Sequence, residues 1–324
     1  MKIVVLDGHT LNPGDNPWVP LEELGDVTVY PRTATEDIVP RAQDAEIVLV
    51  NKTPLTAETL SQLPNLRYIG VLATGFDVVD LEAAGRRGIP VCNVPGYATN
   101  AVAQYVFAMI LELDHHIRDH DASVKAGLWA ASEDWCFWNT PQIELTGQTM
   151  GIIGFGAIGS RVSELAHAFG MKVLACTRTP KPVPDYAPFS YASIEEVFEQ
   201  ADVISLHCPL TADNERFVNA DLLSRMKPEA LFINTARGRL VDEHALAAAL
   251  AAGKLRGAAL DVVSAEPISS DNPLLSAPGC ILTPHIAWAS LTARQNLMRQ
   301  AGANVRAYLA GRPANVVNDT WLAR

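Results

Sequence analysis

Over residues 1–98 short apolar runs alternate with polar spacers of helical length. The runs fall at Lys2–Leu6, Val27–Tyr30, Ile47–Val50, Tyr68–Leu72 and Pro90–Val94, and the spacers include Leu55–Leu63 and Leu81–Arg87. Short runs rich in β-branched residues, spaced by helix-like segments, predict strand–helix–strand units and a parallel sheet. The alternation returns over 149–285, with runs at Met150–Ile153, Lys172–Cys176, Val203–His207, Ala230–Asn234, Ala258–Val262 and Ile281–Thr283. These suffice for a doubly wound sheet of six strands. A further helix is expected at about Leu291–Leu309, followed by Gly311-Arg312-Pro313 and a tail.

Between the two blocks, residues 101–113 form a helix that Thr99 or Asn100 can cap. It is apolar almost all round, so it must be buried on more than one side. A linker helix between two domains, packed also against a partner subunit, satisfies that; so does a helix buried within one domain. Residues 127–141 carry three of the six tryptophans, Trp129, Trp135 and Trp138, without periodicity. Such aromatics anchor an interface or tuck into their own core, and the pattern leaves both open.

The run ending at Ile153 feeds Gly154-Phe155-Gly156-Ala157-Ile158-Gly159 and then an amphipathic helical stretch, Val162–Phe169. This is a G-x-G-x-x-G turn in the strand–turn–helix context that a dinucleotide site requires. Gly154 permits the tight turn, Gly156 lets backbone approach a pyrophosphate, and Gly159 lets helix and strand pack closely. The phosphates then meet free N–H groups at the positive helix end.

Composition narrows the class. The chain has 324 residues, enough for two domains, with 48% hydrophobic and 19% charged residues, as in a globular protein. A net charge of -11 without a long basic run argues against nucleic-acid partners and anionic membranes. The start, Met1–Asp7, resembles a strand and not a signal peptide, and no uncharged apolar stretch reaches membrane-spanning length. The five cysteines are scattered without a C-x-x-C pair, which predicts reduced thiols in a cytoplasmic protein and no metal site.

Three residues with chemistry to offer follow successive apolar runs. Arg237 comes after Leu231–Ala236, Glu266 after Ala259–Ala265, and His285 after Ile281–Pro284. In a doubly wound sheet ligands bind outside the carboxyl ends of the strands, so all three converge on one end of the dinucleotide. Hydride transfer to a carbonyl leaves charge on oxygen and needs a proton donor, which a histidine supplies. A carboxylate paired with the histidine favours its protonated form. An arginine fork grips a substrate carboxylate.

These stretches also resemble the D-isomer-specific 2-hydroxyacid dehydrogenases over nearly the whole chain. The resemblance rests on Leu72–Asp77, the turn at 154–159, Ser205–Thr211, Asn234–Gly238, Leu260–Val262, Ala265–Pro267 and Pro284–Ala287. The subgroup it resembles is the glycerate dehydrogenase and hydroxypyruvate/glyoxylate reductase branch. The resemblance implies an α/β protein of two Rossmann-like, doubly wound parallel-sheet domains with a cleft between them. Residues 99–285 would bind the dinucleotide, and 1–98 with 286–324 would form a flavodoxin-like substrate domain. It implies Arg237, Glu266 and His285 as the catalytic set. Cofactor contacts would come from Thr99, Gly154, Gly156, Ala157, Ile158, Gly159, Thr177, Arg178, Cys208, Pro209, Thr235, Ala236, Arg237, Asp261, His285 and Ala287, with Asp261 beside the nicotinamide carboxamide. His207 would be structural. Substrate would meet the Thr74 and Gly75 amides, Arg237 and His285, with Lys52 and Trp288 as further candidates. The expected reaction joins NAD(H) or NADP(H) to hydroxypyruvate or glyoxylate. Oxidation of 3-phosphoglycerate or D-lactate, and a non-enzymatic dinucleotide sensor of the corepressor kind, are the alternatives. A homodimer through the cofactor domain is expected.

One departure bears on cofactor choice. NAD-preferring sites usually carry an acid about 20 residues after the first glycine. Here the second run ends Cys176-Thr177-Arg178-Thr179, without an acid. Arg178 can accept a 2′-phosphate, which makes NADP(H) credible, or stack on adenine with NAD bound.

Overall fold

The computed structural model describes residues 1–179 and 181–322. The chain divides into two compact units, Met1–Ala98 with Trp288–Arg324, and Thr99–Ala287.

The first unit holds five parallel strands, β1 (Lys2–Val5), β2 (Asp26–Val29), β3 (Ile47–Val50), β4 (Tyr68–Val71) and β5 (Val91–Cys92). Their order is β2-β1-β3-β4-β5, so the winding reverses between β1 and β3. Both faces are buried, which explains the unbroken apolar runs. One face packs Val4, Val48 and Ile69 under Ile38, Leu60 and Ala84. The other packs Ile3, Leu49 and Tyr68 under Leu297, Met298 and Val305 of the helix Leu291–Leu309. Val316 bridges Cys92 antiparallel, and the buried Asn318 side chain accepts from Val91 N–H and donates to the Ile89 carbonyl. These contacts fasten the returning tail to β5.

The second unit contains β6 (Thr149–Ile153), β7 (Lys172–Cys176), β8 (Phe189–Tyr191), β9 (Val203–Leu206), β10 (Leu231–Asn234), β11 (Gly257–Leu260) and β12 (Cys280–Leu282). All pair in parallel, in the order β12-β11-β10-β9-β6-β7-β8, and the winding reverses between β6 and β9. The sheet therefore has one strand more than the apolar runs predict. The addition is β8, whose Phe189-Ser190-Tyr191 pairs with Val173-Leu174-Ala175. Three residues at a sheet edge, preceded by a proline-rich stretch, carry too little pattern to stand out.

The apolar helix spans Thr99–His115 and packs on the helix Ala157–Ala168 and on β10 and β11. Its burial on several faces thus arises within the second unit. Arg256, just before β11, donates to the buried Asp114 near the helix end at 2.5 Å. The tryptophans of the following segment are not in a core: Trp129, Trp135 and Trp138 are 51%, 85% and 66% exposed. The segment is held to the helix Ile117–Lys125 by Asn139, whose N–H donates to His120 Nε2 and whose side chain donates to Ser123.

All five cysteines are free. Among the described residues no helix is long and apolar enough to cross a membrane, and no group of three His, Cys, Asp or Glu is placed to hold a metal ion.

Candidate active site

In the second unit the carboxyl ends of β6, β9, β10, β11 and β12 lie along one sheet edge, and the chemistry-bearing loops leave from there. At the β6/β9 reversal Gly154 has φ +101°, and its N–H donates to the Cys176 carbonyl at 2.8 Å. A Cβ at Gly154 would stand 2.5 Å from Cys208 N, so only glycine fits between the β7 and β9 ends. A Cβ at Gly159 would stand 2.1 Å from the Gly154 carbonyl, whereas one at Gly156 would meet nothing within 4 Å. Gly156 caps the helix Ala157–Ala168 with no side-chain hydrogen bond, so the first-turn N–H groups of Ala157 and Ile158 are left for an anion. The open face at Gly156 and these donors fit a dinucleotide pyrophosphate.

The neighbouring loops line the same edge. Thr177 and the exposed Arg178 follow β7. His207 and Cys208 follow β9. The His207 Nε2 lies 2.9 Å from Ser205 Oγ, and desolvation of the ring pushes its pKa down to about 3, which favours the neutral imidazole. Burial pushes the Cys208 thiol up to about 11, with Cys176 adding to the rise and Arg178 opposing it. The Pro209 carbonyl accepts from Asn214, which braces that loop.

After β10 the buried Asn234 side chain folds the chain back on itself. Its Oδ1 accepts from Ala236 N–H at 2.9 Å, and its Nδ2 donates to the Arg237 carbonyl at 2.9 Å. Thr235 Oγ1 is buried without a hydrogen-bond partner, a hydroxyl waiting for one on the edge where a nicotinamide ribose would lie. Arg237 donates from Nη1 to the Ala236 carbonyl at 2.8 Å. At Gly238 a Cβ would stand 1.9 Å from the Val263 carbonyl carbon. The Arg237 and Glu266 loops therefore pack backbone on backbone.

Glu266 Oε2 lies 2.6 Å from His285 Nδ1. His285 has φ +56°, a conformation that costs a non-glycine residue about 1–3 kcal/mol. Asp261, 1% exposed, holds that turn in place. Its carboxylate accepts from Thr283 Oγ1 at 2.6 Å and from the N–H groups of Ile286 and Ala287 at 2.8 Å, and its carbonyl accepts from His285 N–H at 2.8 Å. The observed task of Asp261 is thus to clamp the histidine turn. The partners of Asp261, up to 26 residues away, leave no mark in the sequence.

The first unit places its own candidates on the carboxyl edge of its sheet. Asp7, after β1, accepts from the N–H groups of Asn51, Lys52 and Thr53 at 2.7, 2.5 and 2.7 Å. One carboxylate thereby fixes the loop bearing Lys52. Thr74 follows β4 and donates from Oγ1 to the Val94 carbonyl at 3.0 Å, while Asn93 Nδ2 donates to the Thr74 carbonyl at 2.7 Å. Asn304 holds the Asn93 carbonyl, and Asn315 holds Asn304 Oδ1, both at 2.8 Å. Gly75 continues that loop. Trp288 packs edge-on against Tyr97 with centroids 6.2 Å apart. The bracing roles of Asp7, Asn93 and Asn234 are not foreseen because single polar residues at strand ends carry no pattern of their own.

A doubly wound sheet with a glycine cradle at its reversal, and an acid–histidine pair on the same edge, is built for hydride exchange with a nicotinamide dinucleotide. Comparison with known proteins agrees. Residues 107–287 match the model of the D-isomer specific 2-hydroxyacid dehydrogenase, NAD binding domain. The chain is 48% identical over 321 residues to the hydroxypyruvate reductase of Blautia hydrogenotrophica, covering 98% of this chain and 100% of that protein. It is 45% identical over 284 residues to the glycerate dehydrogenase of Methylorubrum extorquens, covering 87% and 88%. Among solved structures it is similar to an NADPH-dependent glyoxylate/hydroxypyruvate reductase of Sinorhizobium meliloti in complex with NADP and malonate. There the TM-score is 0.84 and the identity 30%, over 100% of this chain and 98% of that one. The chain belongs to the D-isomer-specific 2-hydroxyacid dehydrogenase family of NAD(P)-dependent oxidoreductases, in its glycerate dehydrogenase and hydroxypyruvate reductase branch.

Proposed function

We propose that the protein reduces a small 2-oxoacid, hydroxypyruvate or glyoxylate, to the D-2-hydroxyacid, and runs the reverse oxidation. The observation that carries this reading is the 2.6 Å pair of Glu266 and His285 on the edge that bears the glycine cradle. The second unit is taken as the dinucleotide domain and the first as the substrate domain. When bound, the nicotinamide supplies or accepts the hydride. Arg237 grips the substrate carboxylate and polarises the adjacent carbonyl. His285, whose Nδ1 is committed to Glu266, gives its Nε2 proton to the carbonyl oxygen as charge develops there. Glu266 stabilises the imidazolium that must form again before each reduction. The Thr74 and Gly75 amides bind the substrate carboxylate, and Lys52 and Trp288 are the first unit's other candidates.

For the cofactor, the Ala157, Ile158 and Gly156 backbone is assigned to the pyrophosphate, and Thr235 and Ala236 to the nicotinamide ribose. Thr99, Asp261 and Ala287 remain candidates near the nicotinamide, and Thr177, Cys208 and Pro209 near the adenosine. No acid ends β7, so NADPH is expected to serve at least as well as NADH, with Arg178 on the 2′-phosphate. The exposed Trp129, Trp135 and Trp138 and the helix Thr99–His115 are proposed to meet a second copy in a homodimer. The free thiols fit a reducing cytoplasm.

The reading is tested by following NAD(P)H oxidation with hydroxypyruvate and with glyoxylate in the wild type and in His285→Ala. Activity in the first and its near-loss in the second are expected; equal activity removes His285 from the mechanism.

A further inference from the structure

One buried carboxylate in the second unit has no part in the reaction described above. Glu243 opens the helix Glu243–Ala251 and is 9% exposed. The helix already has a cap in Asp242, whose side chain accepts from Ala245 N–H at 3.0 Å. Both Glu243 oxygens turn instead to the loop that carries Glu266. Oε1 accepts from Ser264 N–H at 2.6 Å. Oε2 accepts from Ser264 Oγ at 2.7 Å and from Asn272 Nδ2 at 3.0 Å. One side chain therefore ties the loop on both sides of Glu266, two residues before it and six after it.

Burying a carboxylate is costly unless its hydrogen bonds are complete, and a helix's first turn lowers that cost for a negative charge. Here all the hydrogen bonds of the carboxylate end on one loop. The loop needs such an anchor, because the residues around Glu266 are exposed and no strand or α-helix lies between Val263 and Asn272. On the Val263 side the backbone of Gly238 blocks retreat. Glu266 Oε2 must stay within hydrogen-bond distance of His285 Nδ1, and a shift of about 1 Å ends such a bond.

We propose that Glu243 is a positioning residue for the acid–histidine pair: by binding Ser264 and Asn272 it fixes Glu266 against His285. This rests on the reading of Glu266 and His285 under the proposed function. The carboxylate is required as such. In Glu243→Gln the amide oxygen can still accept from Ser264 N–H. The amide nitrogen would then face the Asn272 Nδ2 donor, whose own Oδ1 is taken by Leu274 N–H at 2.9 Å.

The test is the pH profile of 2-oxoacid reduction by the full-length enzyme, with urea unfolding alongside. Loosening Glu266 weakens its hold on the imidazolium, so the alkaline fall of the rate moves to lower pH in Glu243→Gln. A displacement of about half a pH unit lowers the rate about 3-fold at a fixed pH on that limb. Asn272→Ala, which removes one of the three bonds to Glu243 together with the cap on Leu274 N–H, moves it the same way by less and serves if Glu243→Gln folds poorly. In Glu243→Gln/Glu266→Gln the limb coincides with that of Glu266→Gln alone, because Glu243 acts through Glu266. A limb that stays in place in both Glu243→Gln and Asn272→Ala, whatever the loss of stability, overturns the proposal while leaving the pair intact. So does a full further displacement in the double variant. A limb unmoved by Glu266→Gln overturns the reading of the pair, and this proposal with it.

Discussion

At the scale of single residues, the site turns on how few atoms carry it. His285 stands in a left-handed turn that Asp261 clamps with three side-chain hydrogen bonds, and Glu266 is bound to its Nδ1. His285→Ala is expected to keep dinucleotide binding, measured by fluorescence titration, and to lose roughly 10²–10⁴-fold in turnover. In Glu266→Gln the imidazolium loses its negative neighbour, so the proton leaves at lower pH and the alkaline fall of the reduction rate moves down; an upward move contradicts the pairing. Arg178→Ala is expected to raise the KM for NADPH selectively, and equal losses with NADH would dissociate it from a 2′-phosphate. Arg237, Glu266 and His285 stand out in the sequence because each closely follows an apolar run. Glu243 does not, since its partner Ser264 lies 21 residues on and the contact exists only once β11 is paired with β10.

At the scale of elements, loops are held by side chains from neighbouring strand ends and by backbone contact. Gly238→Ala would drive a Cβ into the Val263 backbone, which has no flexible end to move aside. It is expected to cost about 1–3 kcal/mol, seen as a lower urea midpoint, and to reduce turnover by displacing Glu266. His207 at the end of β9 links the fold to pH. Its pKa is depressed to about 3, so between that value and about 6.5 the unfolded chain binds a proton that the folded one refuses. Stability is therefore full above about pH 6.5 and falls as pH drops through that window. His207→Gln should flatten the fall, and an unchanged acid limb in thermal unfolding would exclude the histidine as its source. The long helices and the buried strands were legible because their apolar patterns run over whole elements. The helix Leu291–Leu309 falls where its pattern predicts, while β8 escapes notice because three edge residues make no pattern.

At the scale of the whole molecule, the two-sheet architecture follows from two blocks of alternating runs, and each sheet presents its polar loops at the edge where its winding reverses. How copies associate is not written in such alternation. The exposed Trp135 and Trp138 lead us to expect a dimer, and light scattering should give about twice the 35.0 kDa chain mass; a stable, active monomer would refute it. Substrate size is likewise a property of the assembled site. A phosphorylated 2-oxoacid needs a second cationic cluster beyond Arg237, and Lys52 is the one cationic candidate in the first unit's expected substrate loops. The central claim is tested most directly by kcat/KM for hydroxypyruvate, glyoxylate, pyruvate and 3-phosphohydroxypyruvate at one pH, with NADH and NADPH in turn. The account predicts hydroxypyruvate or glyoxylate well ahead of the others. Preference for the phosphorylated substrate, or no oxidation of either cofactor by any of the four, would contradict it.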